Sequence, residues 1–78
     1  MTIEPSKESQ IEKVLYDDDK TLNNVEYYGF AILGTATSEA HWRILRISYT
    51  GNDFVLEWAS DGGYTAEWDN RATTEVYT

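Results

Sequence analysis

No cysteine occurs in this chain, which excludes disulfide staples and thiolate metal sites together. One histidine, His41, cannot build the His-rich ligand sets of zinc or non-haem iron centres. Basic residues are scarce: six Lys and Arg stand against fourteen Asp and Glu, a formal charge of −8 whose field repels phosphate backbones and anionic lipid surfaces. Direct nucleic-acid binding and membrane contact are therefore not expected. No apolar run nears the roughly 20 residues that span a bilayer. The opening Met1-Thr2-Ile3-Glu4-Pro5-Ser6 lacks both the basic flank and the apolar stretch of a signal peptide, so the cytoplasm is the expected compartment, including larger particles assembled there. The five glycines never form a phosphate-cradling run followed by Lys-Ser/Thr, nor a dinucleotide fingerprint; they read as turn residues.

What is present is aromatic. Three Trp, six Tyr and two Phe make up 14% of the chain. In a 78-residue domain, which buries only about 60% of its unfolded surface, these rings substitute for length in a thin core. The expected architecture is mainly β: a small antiparallel sheet, compact and sandwich- or barrel-like, over residues 11–78, preceded by a flexible arm over 1–10 that contains the only proline. The apolar residues of 11–16 fit a helical turn nearly as well as a strand, and their β-branched and aromatic content favours a strand. Asp17-Asp18-Asp19-Lys20 reads as a polar break and Asn23-Asn24 as a turn. The run Val25 to Leu33 reads as the central strand, with Gly29 marking a bulge or a close backbone approach. The segment 42–49, the turn Thr50-Gly51-Asn52-Asp53 and the segment 54–58 read as a hairpin. Period two puts Phe54, Leu56 and Trp58 on one face, joined by Leu45, Ile47 and Tyr49, and assigns that aromatic face to the core. Ser60-Asp61-Gly62-Gly63 suits positive φ, and residues 73–78 have the β-branched content of a final edge strand.

Candidate chemistry is thin. The acids at 17–19 and 61–69 lack the alternating oxygens, fixed glycine and closing glutamate of a calcium loop and read as solvated loops. Ser38 and His41 lie three apart, but there is no nucleophile elbow, and His41 reads as a structural or surface residue. Neither a cofactor nor a metal is expected, and no catalytic residue stands out. Arg43, Arg46 and Arg71 should pair with carboxylates, within the domain or across a subunit contact. A tryptophan in a glycine-bounded loop packs as an anchor, into its own core or into a partner's pocket, and the core is the favoured alternative. Tyr64, Trp68, Arg71 and Tyr77 are the candidate partner contacts.

The stretch Tyr28-Gly29-Phe30-Ala31-Ile32-Leu33-Gly34-Thr35-Ala36-Thr37-Ser38-Glu39-Ala40-His41-Trp42-Arg43-Ile44, the stretch Glu57-Trp58-Ala59 with the looser Ser60-Asp61-Gly62-Gly63, and the closing Trp68-Asp69-Asn70-Arg71-Ala72 together resemble short proteins of tailed bacteriophages, especially marine ones. The resemblance spans roughly residues 25 to 78 and departs at Ile32-Leu33, where a more polar or proline-containing turn would stand. It implies a non-enzymatic virion component, capsid-associated (decoration) or a neck or tail accessory, present in many copies beside other virion proteins. It identifies no functional residue. The alternative is an acidic inhibitor that imitates nucleic acid before the basic cleft of a host or defence enzyme, which requires the acids to gather on one face.

Overall fold

A computed structural model describes residues 11–78; the arm expected over 1–10 lies outside the described residues. Four strands, β1 (Ile11–Asp19), β2 (Val25–Ile32), β3 (Arg43–Thr50) and β4 (Asp53–Trp58), form one open antiparallel sheet in the order β1-β2-β3-β4. The mainly β expectation holds. The sheet is neither closed into a barrel nor backed by a second sheet among the described residues; irregular chain from 59 to 78 covers one of its faces.

The segment 11–16 is a strand, and the strand does not stop at the acids. Asp17, Asp18 and Asp19 pair with Tyr27, Glu26 and Val25, so the expected polar break is corrected to three more residues of ladder. An edge strand tolerates this because its charged side chains reach solvent or a cation, as Asp17 does with Arg71. The chain reverses through a short helix, α1 (Lys20–Asn23), which ends on Asn24 in the left-handed region at φ 58°. Asparagine tolerates that conformation better than most residues.

β2 lies inside the sheet, as its apolar run predicts, and the β3–β4 hairpin turns through Gly51-Asn52. Gly51 has φ 60°, so positive φ falls on the first central residue, the pattern of a II′ turn, whose twist matches that of the strands it joins.

The core lies on the opposite face from the one the alternation pointed to. Tyr27, Ala31, Trp42, Ile44, Ala59, Ala66 and Trp68 are its buried apolar residues. Leu45, Ile47 and Tyr49 do pair with Trp58, Leu56 and Phe54, but the face they share is not the one the chain covers. The cause is steric. On the covered face β2 presents Tyr27, Gly29 and Ala31, and a Cβ on Gly29 would stand 2.5 Å from the Trp68 ring and 3.1 Å from that of Trp42. Gly29 thus marks a close approach, though to side chains, and the two indoles sit over it with centroids 6.0 Å apart. Trp42 is anchored by Nε1–H donation to Ala36 O at 2.9 Å and by a two-way backbone bridge to Ala66.

The final strand expected over 73–78 is corrected to a single bridge, Ala59 with Tyr77. The N–H groups of Thr73, Thr74 and Glu75 all converge on Asn70 O in a tight turn, leaving only the last residues extended beside Trp58 to Ser60. Of the four residues expected to suit positive φ, Ser60, Asp61 and Gly62 adopt it and curl the chain off the end of β4, while Gly63 is extended at φ −81°.

Candidate interaction face

Since the tail covers the side of Tyr27 and Gly29, the other side of the sheet is open. Along β1 it presents Val14, Tyr16 and Asp18; along β2 Glu26, Tyr28, Phe30 and Ile32; along β3 Arg43, Leu45, Ile47 and Tyr49; along β4 Phe54, Leu56 and Trp58. Val14, Tyr16, Ile32, Phe54 and Leu56 are each about half exposed or more, from 46% to 61%. The rings interlock across strands: Tyr16 with Tyr28 at 4.9 Å, Tyr49 with Phe54 at 6.2 Å, Phe30 with Trp58 at 6.3 Å. The first two are directly opposite on neighbouring strands, pairs that stabilise a sheet by roughly 0.2–1 kcal/mol each, while the third reaches over β3.

One acid sits in the middle of this apolar surface. Glu26 is only 6% exposed although it belongs to the open face, because Tyr16 and Tyr49, its diagonal neighbours on β1 and β3, fold over it. Both phenol hydroxyls donate to its carboxylate, one to each oxygen, and Lys20 Nζ lies 3.8 Å from Oε2. The hydrogen bonds from Tyr16 and Tyr49 hold the Glu26 carboxyl below its ordinary range, against the opposing effect of desolvation. The same bonds push Tyr49 up to about 12 and Tyr16 higher still. A general base is most effective with a pKa near the working pH, and Glu26 is displaced away from it; the trio is an ionised acceptor held by two neutral donors.

A second feature is an open cleft of about 420 Å³ at the end of β2, lined by Ile32, Leu33, Gly34, Thr35, Glu39, His41 and Tyr64. Glu39 Oε1 accepts the Ala36 N–H at 2.8 Å and so closes the loop on itself, while Ser38 does not line the cleft. Among the described residues no group of three or more His, Asp or Glu could hold a metal ion. No helix among them is long and apolar enough to cross a membrane.

The four residues singled out from the sequence do not share one surface. Trp68 is 7% exposed, over Gly29. Arg71 stacks its guanidinium 4.4 Å from the Trp68 ring and donates Nε–H to Asp17 at 3.0 Å, tying the tail to β1. Tyr77 lies half-buried against Tyr27, under the Arg46 guanidinium, and donates its hydroxyl to Arg71 O at 2.9 Å. Tyr64 lines the cleft. The expected arginine–carboxylate pairing is seen for Arg46 with Glu57 at 2.7 Å and for Arg71 with Asp17 among the described residues. Composition and spacing passed over Glu26, whose signal was a lone carboxylate inside the apolar run 25–33. No family model, curated protein or solved structure matches the chain.

Proposed function

We propose that this chain is a non-enzymatic assembly protein, a virion component of a tailed bacteriophage that sits on the capsid or at the neck or tail and contacts other virion proteins. The observation that carries the assembly half is the open sheet face: a contiguous apolar surface with its aromatics interlocked and its one buried acid internally satisfied. Contiguous exposed apolar patches are often functional contact surfaces. The phage half rests on the sequence resemblance over residues 25 to 78. A domain this small, with so much of its apolar surface outward, gains stability from whatever covers that surface.

The acidic-mimic alternative is less well supported. Asp17 and Glu57 are paired with arginines, Glu26 with Lys20 and two phenols, and Glu39, Asp61 and Glu75 accept hydrogen bonds from their own chain. These acids lie on both faces and in the loops, and do not form one stripe. Mass spectrometry of purified virus particles tests the proposal: the chain's peptides should be recovered in multiple copies per particle, and their absence from clean particles would sink it.

A further inference from the structure

We infer that the open face of the sheet is an interface between two copies of this chain, which pack face to face as a two-layer β-sandwich. The inference deepens the assembly reading above by naming the first partner of that face. Two sheets pack stably when both contribute an apolar face, about 10 Å apart, with interdigitating side chains. Here one chain supplies only one such sheet, and a second copy is the partner always present where the chain is made.

Size, polarity and charge each fit a copy. Four strands about 4.8 Å apart and some six residues of about 3.4 Å rise give a flat footprint of roughly 400 Å² per copy. The standing rings add to that footprint. A face-to-face pair therefore covers about 800 Å² before the rings are counted, the size of a weak, concentration-dependent interface. Excluding water from a surface is costly when it strands polar groups. The central acid of this face is already satisfied: Glu26 takes both phenol hydroxyls, which turns the rings of Tyr16 and Tyr49 outward and the polar atoms inward. Charge matters most in a molecule of −8, since two copies repel wherever their acids meet. On this face Asp18 and Glu26 are matched by Lys20, which reaches Glu26, and by Arg43, whose guanidinium lies 4.1 Å from the Trp58 ring. Asp17, Asp19 and Glu57 point to the other side. Among the described residues the contact area is thus close to neutral within an acidic molecule, which suits a like-charged copy and gives a strongly basic partner little to recognise.

Sedimentation equilibrium and light scattering on the full chain test this. The expected result is a concentration-dependent mass rising to twice 9.0 kDa. Val14→Lys on β1 and Leu56→Lys on β4 place charge at opposite edges of the face, at positions 57% and 54% exposed, where the single chain tolerates lysine. Each should shift the equilibrium at least about tenfold toward monomer, with near-ultraviolet circular dichroism of the core tryptophans retained. Val55→Lys, on the same strand but the other face, should leave the dimer intact. A wild-type mass of 9.0 kDa across the micromolar range would overturn the inference. So would a dimer indifferent to Val14→Lys, or one as sensitive to Val55→Lys as to Leu56→Lys, which would mean pairing along the β4 edge. The two proposals fail separately: a monomer in solution that is still abundant in particles removes only the dimer, and a dimer missing from particles removes only the virion reading.

Discussion

At Gly29 the absence of a side chain is what lets two tryptophans pack close against the sheet. Its φ is not positive, so Gly29→Ala meets no backbone strain and its whole cost is the collision of the new Cβ with Trp68, 2.5 Å away. Overpacking of this kind costs about 1–3 kcal/mol, and the urea midpoint should fall accordingly with the slope unchanged. Glu26 gives a prediction of a different kind. Its folded pKa is depressed, so the stability it contributes is present above its ordinary value of 4.5 and is lost as pH falls through the lower folded value. Tyr49 has the opposite sign: raised from 10.0 to about 12, it contributes stability that is complete below pH 10.0 and lost as pH climbs toward 12. Stability measured against pH should therefore decline at both ends. Glu26→Gln, which keeps the shape and removes the charge, should cost about 1–2 kcal/mol at neutral pH and flatten both declines. A variant with unchanged acid and alkaline limbs would show that the trio does not govern them.

Among the elements, the tail from 59 to 78 has no regular strand or long helix, yet it supplies the cover of the core. Trp68→Ala should cost about 3–5 kcal/mol, most of what a domain of this size has, and denaturant unfolding should show it. A Trp68 whose main role was to contact a partner would leave the isolated chain's midpoint nearly unmoved. The hairpin was legible in the sequence because Gly51 fixes the turn and period two fixes which residues face together. Which of the two faces the chain would cover was not legible that way, since β2 is apolar on both and the alternation of β3 and β4, with Arg46, Ser48 and Glu57 on the covered side, points to the open one. The discriminating signal was size: Gly29 and Ala31 beneath Trp42 and Trp68, small residues opposite large ones. The tail was the least readable part. Its path is set by Asn70 O collecting three donors and by Arg71 reaching across to Asp17, contacts 54 residues apart in the second case. The same long reach explains why the proposed site was hard to find: Glu26 meets its two phenols only once β1 and β3 flank β2.

For the whole molecule, a charge of −8 on so small a body makes self-repulsion a standing opponent of folding. Raising ionic strength from about 0.01 M to about 0.15 M shortens the screening length from about 30 Å to about 8 Å. The thermal midpoint should rise by about 2–4 °C, the shift that roughly half a kcal/mol produces in a domain of this size. A midpoint that fell with salt would mean the internal pairs of Arg46 and Arg71 outweigh the repulsion. The three tryptophans, finally, divide the molecule optically. Trp42 and Trp68 form a close pair shielded behind the sheet, while Trp58 stands on the open side beneath Arg43. Coupling between the paired indoles reports on whether the tail is seated, and the quenching of Trp58 by a dissolved solute reports on whether the open side is occupied. The chain thus carries separate built-in reporters for its folding and for its association, with no label to attach.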